Sequence, residues 1–189
     1  MNLAHKWICG SRKWKQRLGN EIIPWALSGV ELGENILEVG PGPGLTTDIL
    51  RERYAAVTAI EIDARAARLL EDRLRGTNVE VFNGDAANMP FEDASFSGAV
   101  SFTMLHHIPS AELQDRMLAE VCRVLRPGAI FAGTDSRLSR MFRLLHLNDT
   151  MTVVDPDSFE SRLHRAGFAD ISIKLAERAF RFRATRARS

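Results

Sequence analysis

Beyond residue 34 the chain alternates short β-branched or apolar runs with segments of helical spacing, and no other feature narrows its fold as far. Asn35–Val39, Ala56–Ile60, Val79–Asn83, Gly98–Phe102 and Ala129–Thr134 are expected as strands. Thr46–Arg53, Ala64–Arg75 and a segment capped by Ser110 and running through Leu125 are expected as helices between them. Strands joined through helices lie parallel, with right-handed crossovers that cover both faces of the sheet. A later helix opens at Asp155-Pro156 and closes at Gly167, and Ile171–Leu175 and Ala179–Arg183 read as two further strands. Three residues separate these last two, too few for a parallel crossover, so they pair antiparallel at one edge. The expectation is a doubly wound α/β domain.

The 189 residues, 45% hydrophobic and 26% charged, have the size and balance of one soluble domain. A chain of this length closes a core without disulfide or metal staples. The two cysteines, Cys9 and Cys122, form neither a CxxC pair nor a disulfide framework, and a reducing, cytoplasmic setting is expected. No apolar run reaches the about 18 residues of a spanning helix. The N-terminus lacks the basic, apolar, small-residue order of a signal peptide. Charge is unevenly placed within a net of +1. Residues 1–20 hold five basic and no acidic side chains, 178–189 hold five arginines and no acid, and 21–177 hold 15 basic against 24 acidic. An acidic body with basic ends argues against a nucleic-acid footprint, while the ends suit phosphate or anionic lipid.

In such a sheet ligands gather at the carboxyl ends of the strands, near the reversal in strand order. The first of these turns is Glu38-Val39-Gly40-Pro41-Gly42-Pro43-Gly44, whose alternate glycines let the backbone turn tightly and a ligand approach it. Leu45 stands where a dinucleotide fingerprint requires its third glycine, so NAD is not expected. Glu61, 21 residues after Gly40, ends the second strand where an acid meets ribose hydroxyls in mononucleotide folds; read alone, it is equally a solvated strand-end acid. Asp63 reads as a helix N-cap. Asp85, after the third strand, suits the exocyclic amine of an adenine or, read alone, the cap of a turn.

These motifs, in this order, resemble the class I S-adenosylmethionine-dependent methyltransferases, especially their small-molecule branch. The resemblance covers roughly residues 35–175: ILEVGPGPG at 36–44, Glu61, GDAANMPFEDASF at 84–96, AVSFTMLHHI at 99–108, EVCRVLRPGAIFAGTD at 120–135 and DPDSFESRLHRAGF at 155–168. It implies a Rossmann-like seven-stranded sheet, S-adenosyl-L-methionine as cofactor, no metal, and methyl transfer as the activity. Under it, Gly40, Gly42 and Gly44 pass close to the methionine part of the cofactor. Glu38 sets the loop or meets the amino group, directly or through water. Glu61 holds the ribose, Ile62 packs on the adenine, and Asp85 and Ala86 hold its edge. Ser101 and Phe102 offer backbone oxygen near the amino group. Ser97 departs from the acid that the family usually carries there.

Methyl transfer from a sulfonium needs no protein nucleophile, because aligning an activated donor with its acceptor supplies most of the rate. His106 and His107 fall beside the expected sulfonium and are the candidate catalytic residues, as proton acceptors, although the family often carries this pair for structural reasons. Phe102-Thr103-Met104-Leu105 replaces the Asn-Pro-Pro-aromatic motif of amino-methyltransferases, and two cysteines are too few for arsenic methylation. The expected acceptor is small and hydrophobic, methylated on oxygen or carbon. A non-catalytic S-adenosylmethionine-binding partner or sensor is the competing class, ahead of an RNA or protein methyltransferase.

The expected division is an N-terminal helical lid (1–33), a cofactor-binding core (34–135), an acceptor-side lid (136–154), and a late helix with the C-terminal strands (155–189). The acceptor-side lid is apolar, with His146 and Asp149 suited to meet an acceptor hydroxyl. Trp7, Trp14 and Trp25 all lie in the first 25 residues, on one helical face flanked by lysines and arginines. That pattern fits a lid, or a peripheral membrane contact that would make the protein membrane-associated. Gly10, Gly19 and Pro24 weaken a single unbroken helix there, and two short helices fit equally.

Overall fold

The computed structural model describes residues 11–139 and 151–188. Five strands run parallel: β1 (Asn35–Val39), β2 (Ala56–Glu61), β3 (Val79–Asn83), β4 (Phe96–Phe102) and β5 (Leu125–Ser136). β6 (Phe168–Leu175) and β7 (Ala179–Arg186) form the antiparallel pair. All seven make one sheet in the order β3-β2-β1-β4-β5-β7-β6, so the order reverses between β1 and β4.

The last strand in sequence is not the last in the sheet. β7 pairs with β5, and β6 is left outermost. Side-chain burial explains the choice: Phe180, Phe182 and Ala184 of β7 are buried, whereas Lys174 and Leu175 of β6 are exposed. An edge strand with a lysine and an irregular register near Asp170, at φ 46°, is poorly suited to pairing with another chain. β5 begins earlier than expected. Arg126-Pro127-Gly128 is a bulged stretch with Gly128 at φ 82°, after which pairing with β4 resumes at Ile130.

Helices α3 (Leu45–Leu50), α4 (Ala64–Leu74), α5 (Ala111–Val124) and α6 (Pro156–Arg165) connect the strands. Asp63 accepts the N–H groups of Arg65 and Ala66, Ser110 that of Leu113, and Asp155 that of Asp157, which fixes three helix starts. One face of the sheet is covered by α5 and α6, where Met117, Val121, Phe159 and Leu163 meet Phe131, Phe180 and Phe182. The Phe159 and Phe182 rings cross edge-to-face at 5.2 Å.

The N-terminal segment lies on the other face. α1 (Arg12–Arg17) continues through a π-helical turn (Leu18–Ile22) into α2 (Ile23–Ala26). Pro24 has no N–H to give and crowds the carbonyl four residues back, and the wider π turn takes up that misfit. Leu18, Ile23, Ala26 and Leu32 are buried against Ile36, Leu50, Val57, Val100 and Phe102, with Trp14 packed on the same cluster. Arg181 donates to the Trp25 carbonyl and lies over its ring at 5.7 Å. Trp7 falls outside the described residues, as do His146 and Asp149 of the acceptor-side segment. Among the described residues no helix is long and apolar enough to cross a membrane.

β4 and β5 approach so closely that a Cβ on Gly133 would lie 1.9 Å from the Ser101 carbonyl oxygen and 3.0 Å from Phe182 Cζ. Gly133→Ala is therefore expected to destabilise the fold by about 3 kcal/mol or more in urea unfolding. Gly19→Ala, whose Cβ would meet only Ile49 Cδ1 at 3.6 Å, should be neutral or stabilise by about 1 kcal/mol. Equal midpoints for the two variants would contradict this packing.

Candidate active site

The site is built from the turns at the carboxyl ends of β1, β2, β3 and β4. Glu38, on β1, is 1% exposed, and the first turn of α3 closes over it. Thr46 Oγ1 donates to one carboxylate oxygen and Thr47 Oγ1 to the other, the latter at 2.6 Å. Burial pushes the carboxyl up to about 7, outweighing the two hydroxyls that favour its ionised form. Glu38 thus sets the loop by tying the strand to the helix after the glycine turn. Thr46 and Thr47 carry no motif of their own; their sequence signal is a pair of hydroxyls just after the glycines.

Gly40, Gly42 and Gly44 all have positive φ, at 70°, 54° and 79°. They serve different ends. A Cβ at Gly40 would lie 2.2 Å from Met104 Cγ, so this glycine lets the β4 turn pack over the β1 turn. Gly42 has nothing within 4 Å of its Cβ position, and its side of the loop is open to a ligand.

Glu61, at the end of β2, is 8% exposed. Its Oε2 accepts the Gly42 N–H and its Oε1 the Asp63 N–H, both at 3.0 Å. Each carboxylate oxygen has a second lone pair, so the group can still accept two hydroxyls. Ile62 beside it is 70% exposed, an apolar side chain in the open at a strand end. Asn83 Nδ2 bonds the carbonyls of Glu61 and Ile62, joining the β3 end to this corner. Asp85 Oδ1 accepts the Ala87 N–H at 2.8 Å, while Asp85 itself is exposed and Ala86 half-buried. Asp85 therefore caps its turn with one oxygen. Gly42, Glu61, Ile62 and Asp85 fit S-adenosyl-L-methionine: an open backbone, an acceptor for two vicinal hydroxyls, an apolar surface for a flat ring and a carboxylate for an amine.

Ser101 and Phe102 are buried in β4 and bring no side chain to the surface of the cleft. Thr103 comes next at φ 51°, a strained conformation for a β-branched residue, with its N–H on the Thr134 carbonyl at 2.8 Å. That turn delivers Met104 onto Gly40 and leads into the 3₁₀ turn Leu105–His107. His106 Nδ1 lies 2.5 Å from Asp135 Oδ1 of β5, and the His107 ring stands 4.2 Å from that of His106. Gln114, buried in α5, donates to the carbonyls of Leu105 and Thr152 and accepts from Arg162, so one amide joins three segments here. Asp135 and Gln114 were not expected as site residues. Their partners lie 29 and up to 48 residues away, and no local pattern marks them. Among the described residues no group of His, Cys, Asp and Glu could hold a metal ion.

This fold is shared with methyltransferases. Residues 37–133 match the family model described as a methyltransferase domain, and the chain belongs to that family, whose cofactor is S-adenosyl-L-methionine. It is 35% identical over 107 residues to a phthiotriol/phenolphthiotriol dimycocerosates methyltransferase of Mycobacterium tuberculosis, matching 56% of this chain and 38% of that one. It is 32% identical over 107 residues to a fatty-acid O-methyltransferase of Mycolicibacterium smegmatis, with the same 56% and 38% coverage. The chain thus matches less than half the length of these curated relatives. A solved S-adenosylmethionine-dependent methyltransferase of Aquifex aeolicus shares the fold at a TM-score of 0.76 and 19% identity, covering 99% of this chain and 100% of that one.

The buried carboxyl generates a pH prediction. With Glu38 raised from 4.5 to about 7, the folded state binds more protons than the unfolded chain within that window, so its contribution to stability falls as pH rises. Glu38→Gln carries no proton to lose, and should gain about 3 kcal/mol relative to the native chain between pH 4.5 and pH 8. Urea unfolding across that range measures the difference. A stability difference that does not change with pH would contradict the burial of an ionisable group.

Proposed function

We propose that the protein transfers a methyl group from S-adenosyl-L-methionine to an oxygen or carbon of a small hydrophobic acceptor. The observation that carries this reading is the Glu61 corner, where a carboxylate already fixed by two backbone N–H groups keeps two acceptor positions beside an exposed Ile62. Gly40, Gly42 and Gly44 would pass along the methionine part of the cofactor, and Asp85 with Ala86 would meet the adenine edge. When bound, the sulfonium supplies an activated methyl group, and the chain's own task is to hold the acceptor in line with it.

The relatives support a hydrophobic acceptor. By their names one is a methyltransferase of phthiotriol or phenolphthiotriol dimycocerosates and the other an O-methyltransferase of fatty acids. The apolar side chains Met141, Phe142, Leu144, Leu145, Leu147 and Met151, in the segment assigned here as the acceptor-side lid, agree with such a substrate. Residues 1–33 serve in this reading as a cover for the acceptor. Basic side chains on the exposed side of α1 (Arg12, Lys13, Lys15 and Arg17) would face an anionic membrane if the acceptor is drawn from one.

Calorimetric titration with S-adenosyl-L-homocysteine tests the cofactor corner. Glu61→Gln keeps the side-chain shape but loses the charge, and is expected to weaken binding by about 2 kcal/mol, a loss of roughly 30-fold. Unchanged affinity in a folded variant would contradict the ribose assignment. Release of labelled methylated product from a lipid extract separates an enzyme from a protein that only holds the nucleoside.

A further inference from the structure

The edge of the sheet opposite the Glu61 corner carries a group of cations without counter-charges. β7 alternates Phe180, Phe182 and Ala184, buried under α5 and α6, with Arg181 and Arg183, which by the period of a strand point to the other face. β6 sets Ser172 opposite Arg183 and Lys174 opposite Arg181, so three cationic side chains share one face of two neighbouring strands. Like charges directly opposed weaken a strand pair. Among the described residues no carboxylate forms an ion pair with any of the three. The chain is not short of acids, since residues 21–177 hold 24 acidic against 15 basic side chains. The concentration of positive charge is local to this face.

Lys174, Arg181 and Arg183 line a pocket of about 120 Å³ together with Ser28 and Ser172. One wall is fixed in advance: Arg181 donates to the Trp25 carbonyl and lies over the Trp25 ring at 5.7 Å. Arg183 Nη1 is 3.5 Å from the Gly29 carbonyl. A guanidinium carries five N–H donors and each of these two gives one to the protein, so the pocket keeps donors as well as charge. Holding Arg181 in place beforehand lowers the entropy lost when a ligand binds. We infer that this pocket is a binding site for a phosphate group, carried by an anionic lipid headgroup or by free phosphate. Several acceptor oxygens on one anionic group match three cations and two hydroxyls, and arginine forks fit phosphate oxygens in pairs. A carboxylate, with two oxygens and a single charge, leaves more of the positive charge unmatched. An extended polyanion such as nucleic acid would meet the acidic body around the pocket. The site is separate from the cofactor corner and does not rest on the methyl-transfer reading.

The test uses the full chain and inorganic phosphate, followed through the nitrogen-15 resonances of the arginine Nε–H groups. Phosphate is expected to shift Arg181 and Arg183 saturably, and sodium chloride at equal ionic strength to leave them in place. In the double variant Lys174→Gln with Arg183→Gln, phosphate affinity read at Arg181 should fall by about tenfold or more. Both replaced side chains are exposed, so the midpoint of urea unfolding should not fall. A second arm, co-sedimentation with vesicles of phosphatidylcholine and phosphatidylglycerol, identifies the source of the phosphate. Once phosphate binding is seen, vesicle binding lost in the double variant assigns the site to a lipid headgroup, and vesicle behaviour unchanged by the substitutions assigns it to free phosphate. No saturable shift, the same shift with chloride, or undiminished phosphate affinity in the double variant would overturn the proposal.

Discussion

Glu61 accepts a backbone N–H from the glycine turn after β1 and another from the start of α4, and these two bonds bring the carboxyl ends of the first two strands into one corner. An almost fully buried carboxylate needs such donors, because desolvation without hydrogen bonds would cost several kcal/mol. The donors also fix its direction. Each oxygen is left with one further lone pair, in a corner where Gly42 has open space beside it and Ile62 is exposed. The rest of the cofactor side depends on that anchor: Asn83 ties the β3 end to it, and Glu38 binds β1 to α3 behind it.

The two faces of the sheet share the work unequally. Glu38, Thr46 and Thr47 belong to the face covered by the N-terminal helices, and they tie β1 to α3 behind the glycine turn. His106, Asp135 and Gln114 lie toward the face of α5 and α6, and they hold the turn after β4 together with the start and end of the acceptor-side segment. Between them Thr103 accepts a strained φ so that Met104 can close onto Gly40.

Much of this is legible in the sequence because it is local. Strand and helix alternation, the caps Asp63, Ser110 and Asp155, and the glycine turn are written in neighbouring residues, and the structure places each where its chemistry directs. What is not legible depends on sheet neighbours. A hairpin sequence reads the same whichever strand is inserted, so the place of β7 beside β5 rests on tertiary burial of Phe180 and Phe182. Asp135 reads as the end of a strand until β4 and β5 bring it to His106. Ser101 and Phe102, named by family resemblance, are placed inside the sheet, where any contribution to the cofactor is through the backbone.

The central claim is that the Glu61 corner is where the nucleoside of S-adenosyl-L-methionine binds. A crystal structure with S-adenosyl-L-homocysteine tests it most directly. The account predicts both ribose hydroxyls on the Glu61 carboxylate, the adenine against Ile62 with its amine toward Asp85, and the Gly42 and Asp63 N–H bonds retained. A nucleoside bound elsewhere, or a ribose without contact to Glu61, would contradict it.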